Sequence, residues 1–290
     1  MSRTLKTLSL AAALLMATDL PSLARDEIVR FSIEGQTLVG TLTLPETEAP
    51  APVVLMLYGF LGNRAEWPIA GTEEGPFARA ARIWAENGIA SLRIDYRGSG
   101  ESAGLFADAT LSSEAADGVA AIAFLKAEPR VDAGRLGIVG WSLGGPIATS
   151  VAAHSAPDAL VLWNGVTDPV ATFTGMLGAE VMGADAAGAP VEVMMPWGEP
   201  VRVGRTLIAE LRAADPVAEI AAYAGPLLVI QGNLDVIVPP AGAPLLLAAH
   251  TGVEQLWTRD MDHIFNMEQG PEVADAMIAA TQSFLSAHLH

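Results

Sequence analysis

Short continuous apolar runs alternate with segments of helical spacing along most of the chain. Glu27 to Ile33 and Thr37 to Leu44 read as two strands joined at Glu34-Gly35, a turn pair between β-patterned flanks. Val53 to Tyr58 is apolar throughout and ends at Gly59, as a strand buried on both faces would. Further strands are expected at Ile89 to Asp95, Arg135 to Gly140, Ala159 to Asn164, Pro226 to Gly232 and Val253 to Arg259. Helices are expected between them, at Phe77 to Asn87, Leu111 to Lys126 (Val119, Ile122 and Leu125 at helical spacing), Leu143 to Ala153, Leu245 to His250 and Pro271 to His290. A hairpin followed by alternating strands and helices predicts an α/β domain: a mostly parallel sheet with helices on both faces. No internal repeat is visible.

One interval breaks this alternation. From Gly165 to Gly225 the chain is rich in Gly, Ala and Met, with a hairpin signature around Pro196-Trp197-Gly198-Glu199 and a short helical stretch at Arg205 to Arg212. Such an excursion between two core strands reads as a lid, at about 165–225, or as a structural cover over a sheet edge.

Composition narrows the classes. With 290 residues, 51% of them hydrophobic and 17% charged, the chain can bury one large core and lacks the composition of a disordered one. The formal net charge of −17 repels phosphate backbones, so no nucleic-acid partner is expected. With no cysteine, thiolate catalysis and disulfides are excluded. Arg3 and Lys6, the apolar run Leu8 to Ala17, Pro21 and Ser22-Leu23-Ala24 have the layout of a signal peptide cut after Ala24. The expectation is therefore a leader over 1–24, a single exported domain over 25–290, periplasmic or secreted, and no stable membrane association, because no stretch approaches the ~20 apolar residues of a spanning helix.

The chemistry is concentrated at three places. Gly140-Trp141-Ser142-Leu143-Gly144 places a serine between a buried strand and a helix, with glycines two before and two after, as a sharp nucleophile turn requires. A serine hydroxyl needs a base. Of the five histidines, His263 alone lies in a loop just past the last predicted strand, whereas His154 and His250 end helices and His288 and His290 lie at the terminus. The acid that would orient it is Asp235, just past the strand Pro226 to Gly232; Asp260 and Asp262 compete by proximity alone. The backbone amides of Leu143 and Phe60 are the candidate oxyanion donors, and Trp141 and Trp197 the candidate substrate-binding side chains. Gly98 to Ala103 loosely matches a dinucleotide fingerprint, but no helix is expected directly behind it; Asp95 and Arg97 read as holding that loop.

With these residues in place the sequence resembles the α/β-hydrolase superfamily, and within it the bacterial cinnamoyl/feruloyl-esterase-like and acylaminoacyl-peptidase-like hydrolases. The resemblance rests on Gly59-Phe60-Leu61-Gly62-Asn63, Asp95 to Ser102, the serine turn, Gly232 to Pro239 and Asp262-His263. It implies an α/β-hydrolase fold with an inserted lid, a Ser142–His263–Asp235 triad, no metal or organic cofactor, and a small-molecule or polymer-derived ester as substrate. Relatives carry His-Gly at the first motif; here Tyr58 stands in place of that His, which implies different hydrogen bonding inside the loop. The lid implies contact with an aromatic or acyl group, with Trp197 and Met176, Met182, Met194 and Met195 as candidate walls. Two further readings remain open: an acyl-peptide amidase or peptidase using the same residues, whose relatives add a large domain of which this sequence shows no part, and a catalytically silent binding protein on the same fold.

Overall fold

The computed structural model describes residues 24–290; the signal-peptide expectation falls on residues outside that range, but for Ala24. In chain order the elements are β1 (Arg25–Ile33), β2 (Gln36–Leu44), β3 (Ala51–Leu57), α1 (Pro76–Ala85), β4 (Ala90–Asp95), α2 (Leu111–Ala127), β5 (Val131–Trp141), α3 (Gly144–Ser155) and β6 (Ala159–Trp163). The excursion follows, with α4 (Pro169–Leu177), α5 (Ala179–Met182), β7 (Val191–Met194), β8 (Pro200–Val203), α6 (Arg205–Ala213) and α7 (Pro216–Ile220). The chain then returns through β9 (Leu227–Gly232), α8 (Ala243–Ala249), β10 (Glu254–Arg259) and α9 (Glu272–His288).

Eight strands form one sheet in the order β1-β2-β4-β3-β5-β6-β9-β10. The β1–β2 and β2–β4 pairs are antiparallel; every pair from β4 to β10 is parallel. Parallel strands need crossovers that cover the sheet, and β5 reveals the two sides. A side chain at Gly137 would meet Leu285 of α9, whereas one at Gly140, three residues on, would meet Gly144 and Ala148 of α3. Residues an odd number apart point to opposite faces of a strand, so α9, packed on α1, covers one face and α3, packed on α2, the other. β4, β6 and β9 are buried along their whole length, and β6 and most of β9 read as unbroken apolar runs. The fold is that of an α/β-hydrolase.

α2 forms where expected, but its buried face differs. Val119 is 45% exposed, and the buried face instead carries Glu114 and Asp117 along with Ile122 and Leu125. Asp117 is satisfied there by the Arg97 backbone amide (2.8 Å) and Nε (2.6 Å). The stretch after β4 is no nucleotide loop: Ser102 Oγ donates to Asp95 O and accepts from Val39 N, and Gly98 N donates to Ala103 O. Asp95, fully buried, accepts from Arg64 N at 2.8 Å and from Glu101 N at 2.9 Å and pairs with the Arg64 guanidinium, so it holds two loops together.

The excursion leaves the sheet at the end of β6 and returns at β9, its immediate neighbour. The β7–β8 hairpin turns at Trp197-Gly198, with Gly198 at φ +89°. Among the described residues no helix is long and apolar enough to cross a membrane.

Candidate active site

Three loops at the C-terminal ends of β5, β9 and β10 converge, as ligand-binding loops do in open parallel sheets. Ser142 follows β5 with φ +56°, a left-handed conformation that costs a non-glycine residue roughly 1–2 kcal/mol. The surroundings enforce it: Ser142 N donates to Trp163 O, and Ser142 O accepts from Gly145 N and Val166 N, each at 3.0 Å. A side chain at Gly140 would run into the Gly144 carbonyl, and one at Gly59 would approach Ser142 Cβ to 2.8 Å, so both close approaches require glycine.

His263 Nε2 lies 2.9 Å from Ser142 Oγ, and its Nδ1 lies 2.8 Å from Asp235 Oδ2. A carboxylate only accepts, so Nδ1 carries the proton and Nε2 is free to take one from the serine. Asp235 is buried, and its other oxygen accepts from Ile237 N and Val238 N, both at 2.8 Å. The competing acids point elsewhere: Asp260 accepts from Asn233, and Asp262 folds onto its own loop, accepting from Ile264 N and Asn266 N. His154 Nδ1 meets Ser150 O, and His250 Nε2 meets Gly225 O, so neither faces the serine.

Sequence reasoning passed over Asn164. It is fully buried at φ +44° at the end of β6. Its Nδ2 donates to Asp262 O (3.1 Å) and His263 O (3.0 Å), while its Oδ1 accepts from Gly232 N (2.8 Å). One side chain therefore ties the His263 loop to the strand from which the Asp235 loop departs. Trp141 Nε1 adds a bond to His263 O at 3.3 Å, and Phe265 packs on the Trp141 and Trp163 rings. The signal available in the sequence was a lone amide closing the apolar run Ala159 to Trp163.

Ser142 and His263 open onto a cleft of about 360 Å³ lined chiefly by Phe60, Trp67, Trp141, Met176, Trp197 and Ile237. Trp141 and Trp197, singled out from the sequence, thus both border it. Of the four lid methionines only Met176 does. Met182 is buried elsewhere in the core, Met195 lines a neighbouring cavity, and Met194 is 65% exposed, because the β7–β8 pleat turns it away from its neighbours at 193 and 195. Among the described residues, neither the Phe60 nor the Leu143 amide donates to a protein acceptor, so both are free to serve a ligand. Tyr58 hydrogen-bonds through its hydroxyl to Tyr96 N at 2.9 Å, tying the ends of β3 and β4 together; burial raises its pKa and keeps it neutral.

The carboxyl bordering the cleft belongs to Glu66. The residue is half-buried, but Oε1 is shut off from solvent without a partner, while Oε2 accepts from Phe77 N at the start of α1 (2.9 Å). Burial pushes this acid up to about 8, so it is largely protonated at neutral pH. Among the described residues no group of three or more His, Asp or Glu side chains is placed to hold a metal.

Comparison with known proteins places these features in a family. A family model described as X-Pro dipeptidyl-peptidase (S15 family) matches residues 34–183. Two uncharacterized proteins of Mycobacterium tuberculosis, from strains CDC 1551 and H37Rv, are each 35% identical over 225 residues, 78% of this chain. The chain spans 66% of the length of these curated relatives. Among solved structures, Est1E from Butyrivibrio proteoclasticus with ferulic acid bound superposes with a TM-score of 0.74 at 21% identity, covering 90% of this chain and 98% of that one. The acylaminoacyl peptidase of Pyrococcus horikoshii gives 0.67 at 18% identity, covering 92% of this chain and 42% of that one. At these identities the structures speak for the fold alone.

Proposed function

The chain belongs to the X-Pro dipeptidyl-peptidase (S15) family and is a hydrolase of the α/β fold; from that premise we propose that it cleaves carboxylic esters through an acyl-enzyme on Ser142. The observation that carries this is the hydrogen-bonded sequence Asp235–His263–Ser142 opening into an apolar cleft. His263 takes the Ser142 proton as Oγ attacks the carbonyl, and Asp235 holds the imidazole in the required tautomer and stabilises its charged form. The carbonyl oxygen, now negative, lies against the Leu143 amide at the N-terminus of α3 and the Phe60 amide in the loop after β3; one such donor is worth about 10²–10³ in rate. His263 returns the proton to the departing alcohol, and water repeats the sequence to free the acid.

Peptidase action is the second reading, favoured by the family's description. Releasing dipeptides from a chain end needs an anion to hold the free ammonium. Glu66 is the carboxyl at hand among the described residues lining the cleft, and burial leaves it largely neutral, which favours the ester. The test is steady-state hydrolysis of p-nitrophenyl esters of increasing chain length, methyl ferulate and an X-Pro p-nitroanilide, with Ser142→Ala as control. Ester turnover lost on the order of 10⁶-fold in the variant supports the proposal. Turnover of the anilide alone replaces it with the peptidase reading, and equal inertness of both proteins refutes both.

A further inference from the structure

α4 starts from Asp168, whose side chain accepts from Ala171 N. Ala171, Thr172, Gly175 and Met176 are spaced i, i+1, i+4 and i+5, so they share one face of that helix. This face borders a recess of about 350 Å³, flanked opposite by Trp197 at the hairpin tip and Ile237 in the loop after Asp235. Met176, Trp197 and Ile237 also line the Ser142 cleft, so the two spaces meet along these three side chains.

Two features make this more than a packing fault. The first is Thr172, 5% exposed, whose Oγ1 is buried without a hydrogen-bond partner among the described residues. A buried hydroxyl left unpaired costs about 1–3 kcal/mol, and a helical threonine ordinarily returns its hydroxyl to the carbonyl one turn back. The second is the room beside it: Ala171 and Gly175 are exposed, and a Cβ built at Gly175 meets nothing within 4 Å.

We infer that this recess is a second substrate subsite, which receives one arm of the ester while the carbonyl sits at Ser142. The arm it suits is bulky and apolar and carries one hydroxyl, ether or carbonyl group to pair with Thr172. The inference rests on the ester reading and extends it to a substrate class: esters with at least one long or wide arm.

Gly175→Leu fills the recess on a helix that accepts leucine, and Thr172→Val removes the hydroxyl without changing shape. Both are compared with wild type by pH-stat kcat/KM on methyl acetate, methyl decanoate, decyl acetate and the methyl hydroxydecanoates. Gly175→Leu is expected to leave methyl acetate unchanged and to lower methyl decanoate or decyl acetate at least about 10-fold, several methylenes' worth of pocket contact. Thr172→Val is expected to lower at least one hydroxydecanoate by about 3- to 10-fold, the value of one neutral hydrogen bond, and to spare methyl decanoate. Uniform effects across the series, or none, overturn the subsite while leaving the ester reading intact. If wild type cleaves no ester, the parent reading fails, and calorimetric binding of decanol to wild type and Gly175→Leu decides the recess: weaker binding in the variant supports it, and equal binding overturns it.

Discussion

Removing the Asn164 amide tests whether the His263 loop is held from beneath. Asn164→Ala strands the Gly232 N–H, whereas Asp262 O keeps its bond from Phe265 N and His263 O its bond from Trp141 Nε1. One stranded buried group costs roughly 1–3 kcal/mol. Alanine at φ +44° adds about 1–2 kcal/mol of left-handed strain, which glycine avoids at about 0.5–1 kcal/mol of chain entropy. Urea unfolding should therefore rank wild type above Asn164→Gly, and Asn164→Gly above Asn164→Ala by about 0.5–1 kcal/mol. Asn164 does not line the cleft, so KM is expected to hold. kcat should fall, by about 10² for an ångström of drift at His263, with a displaced acidic limb in the pH profile. Folded Asn164→Gly protein with wild-type kcat and pH profile would refute a positioning role, and wild-type stability in both variants would refute the hydrogen-bond accounting itself.

Asp235→Asn keeps the shape of the acid but favours the wrong imidazole tautomer, so kcat on any accepted ester should drop about 10⁴-fold with little change in KM; a loss under tenfold would move the role to another acid. Glu66 offers a test by pH. Its acid is raised to about 8 from 4.5, so the folded protein holds a proton that the unfolded chain releases, and this stability is complete below pH 4.5 and lost as pH rises toward 8. Glu114, raised to about 8 by burial and by Asp117, contributes with the same sign. Thermal midpoints between pH 5 and 8.5 should fall less steeply in Glu66→Gln, which still accepts from Phe77 N, and less again with Glu114→Gln added; slopes equal to wild type would contradict the buried, protonated carboxyls.

The sheet was legible because strands covered on both sides are apolar at most positions, as in Val53 to Leu57 and Leu227 to Ile230, even though β4 also buries Ser91, Arg93 and Asp95. The serine turn was legible because its close approaches leave glycine as the sole choice around Ser142. The extent of α2 was legible but its buried face was not, since Arg97, distant in sequence, makes Asp117 a buried residue while Val119 faces water. Asn164, Glu66 and Thr172 were missed for one reason: each takes its meaning from groups far along the chain, and a single polar letter carries no period. The hairpin at Trp197 could be read as local structure, but the cavities it borders depend on where α4 and the Asp235 loop meet it.

The excursion departs after β6 and rejoins at β9, two strands already hydrogen-bonded side by side. Because the two strands are parallel, the excursion includes the crossover that carries the chain from the end of β6 back to the start of β9, so it can be exchanged but not cut out. On the proposed reading the protein is thus a machine with an exchangeable fitting: Ser142, His263 and Asp235 stay bolted to the sheet, with Asn164 tying two of their loops, while the cassette between β6 and β9 can lengthen, shrink or be traded for another. Natural variation among such chains should accordingly concentrate in what they accept and spare how fast they cut it.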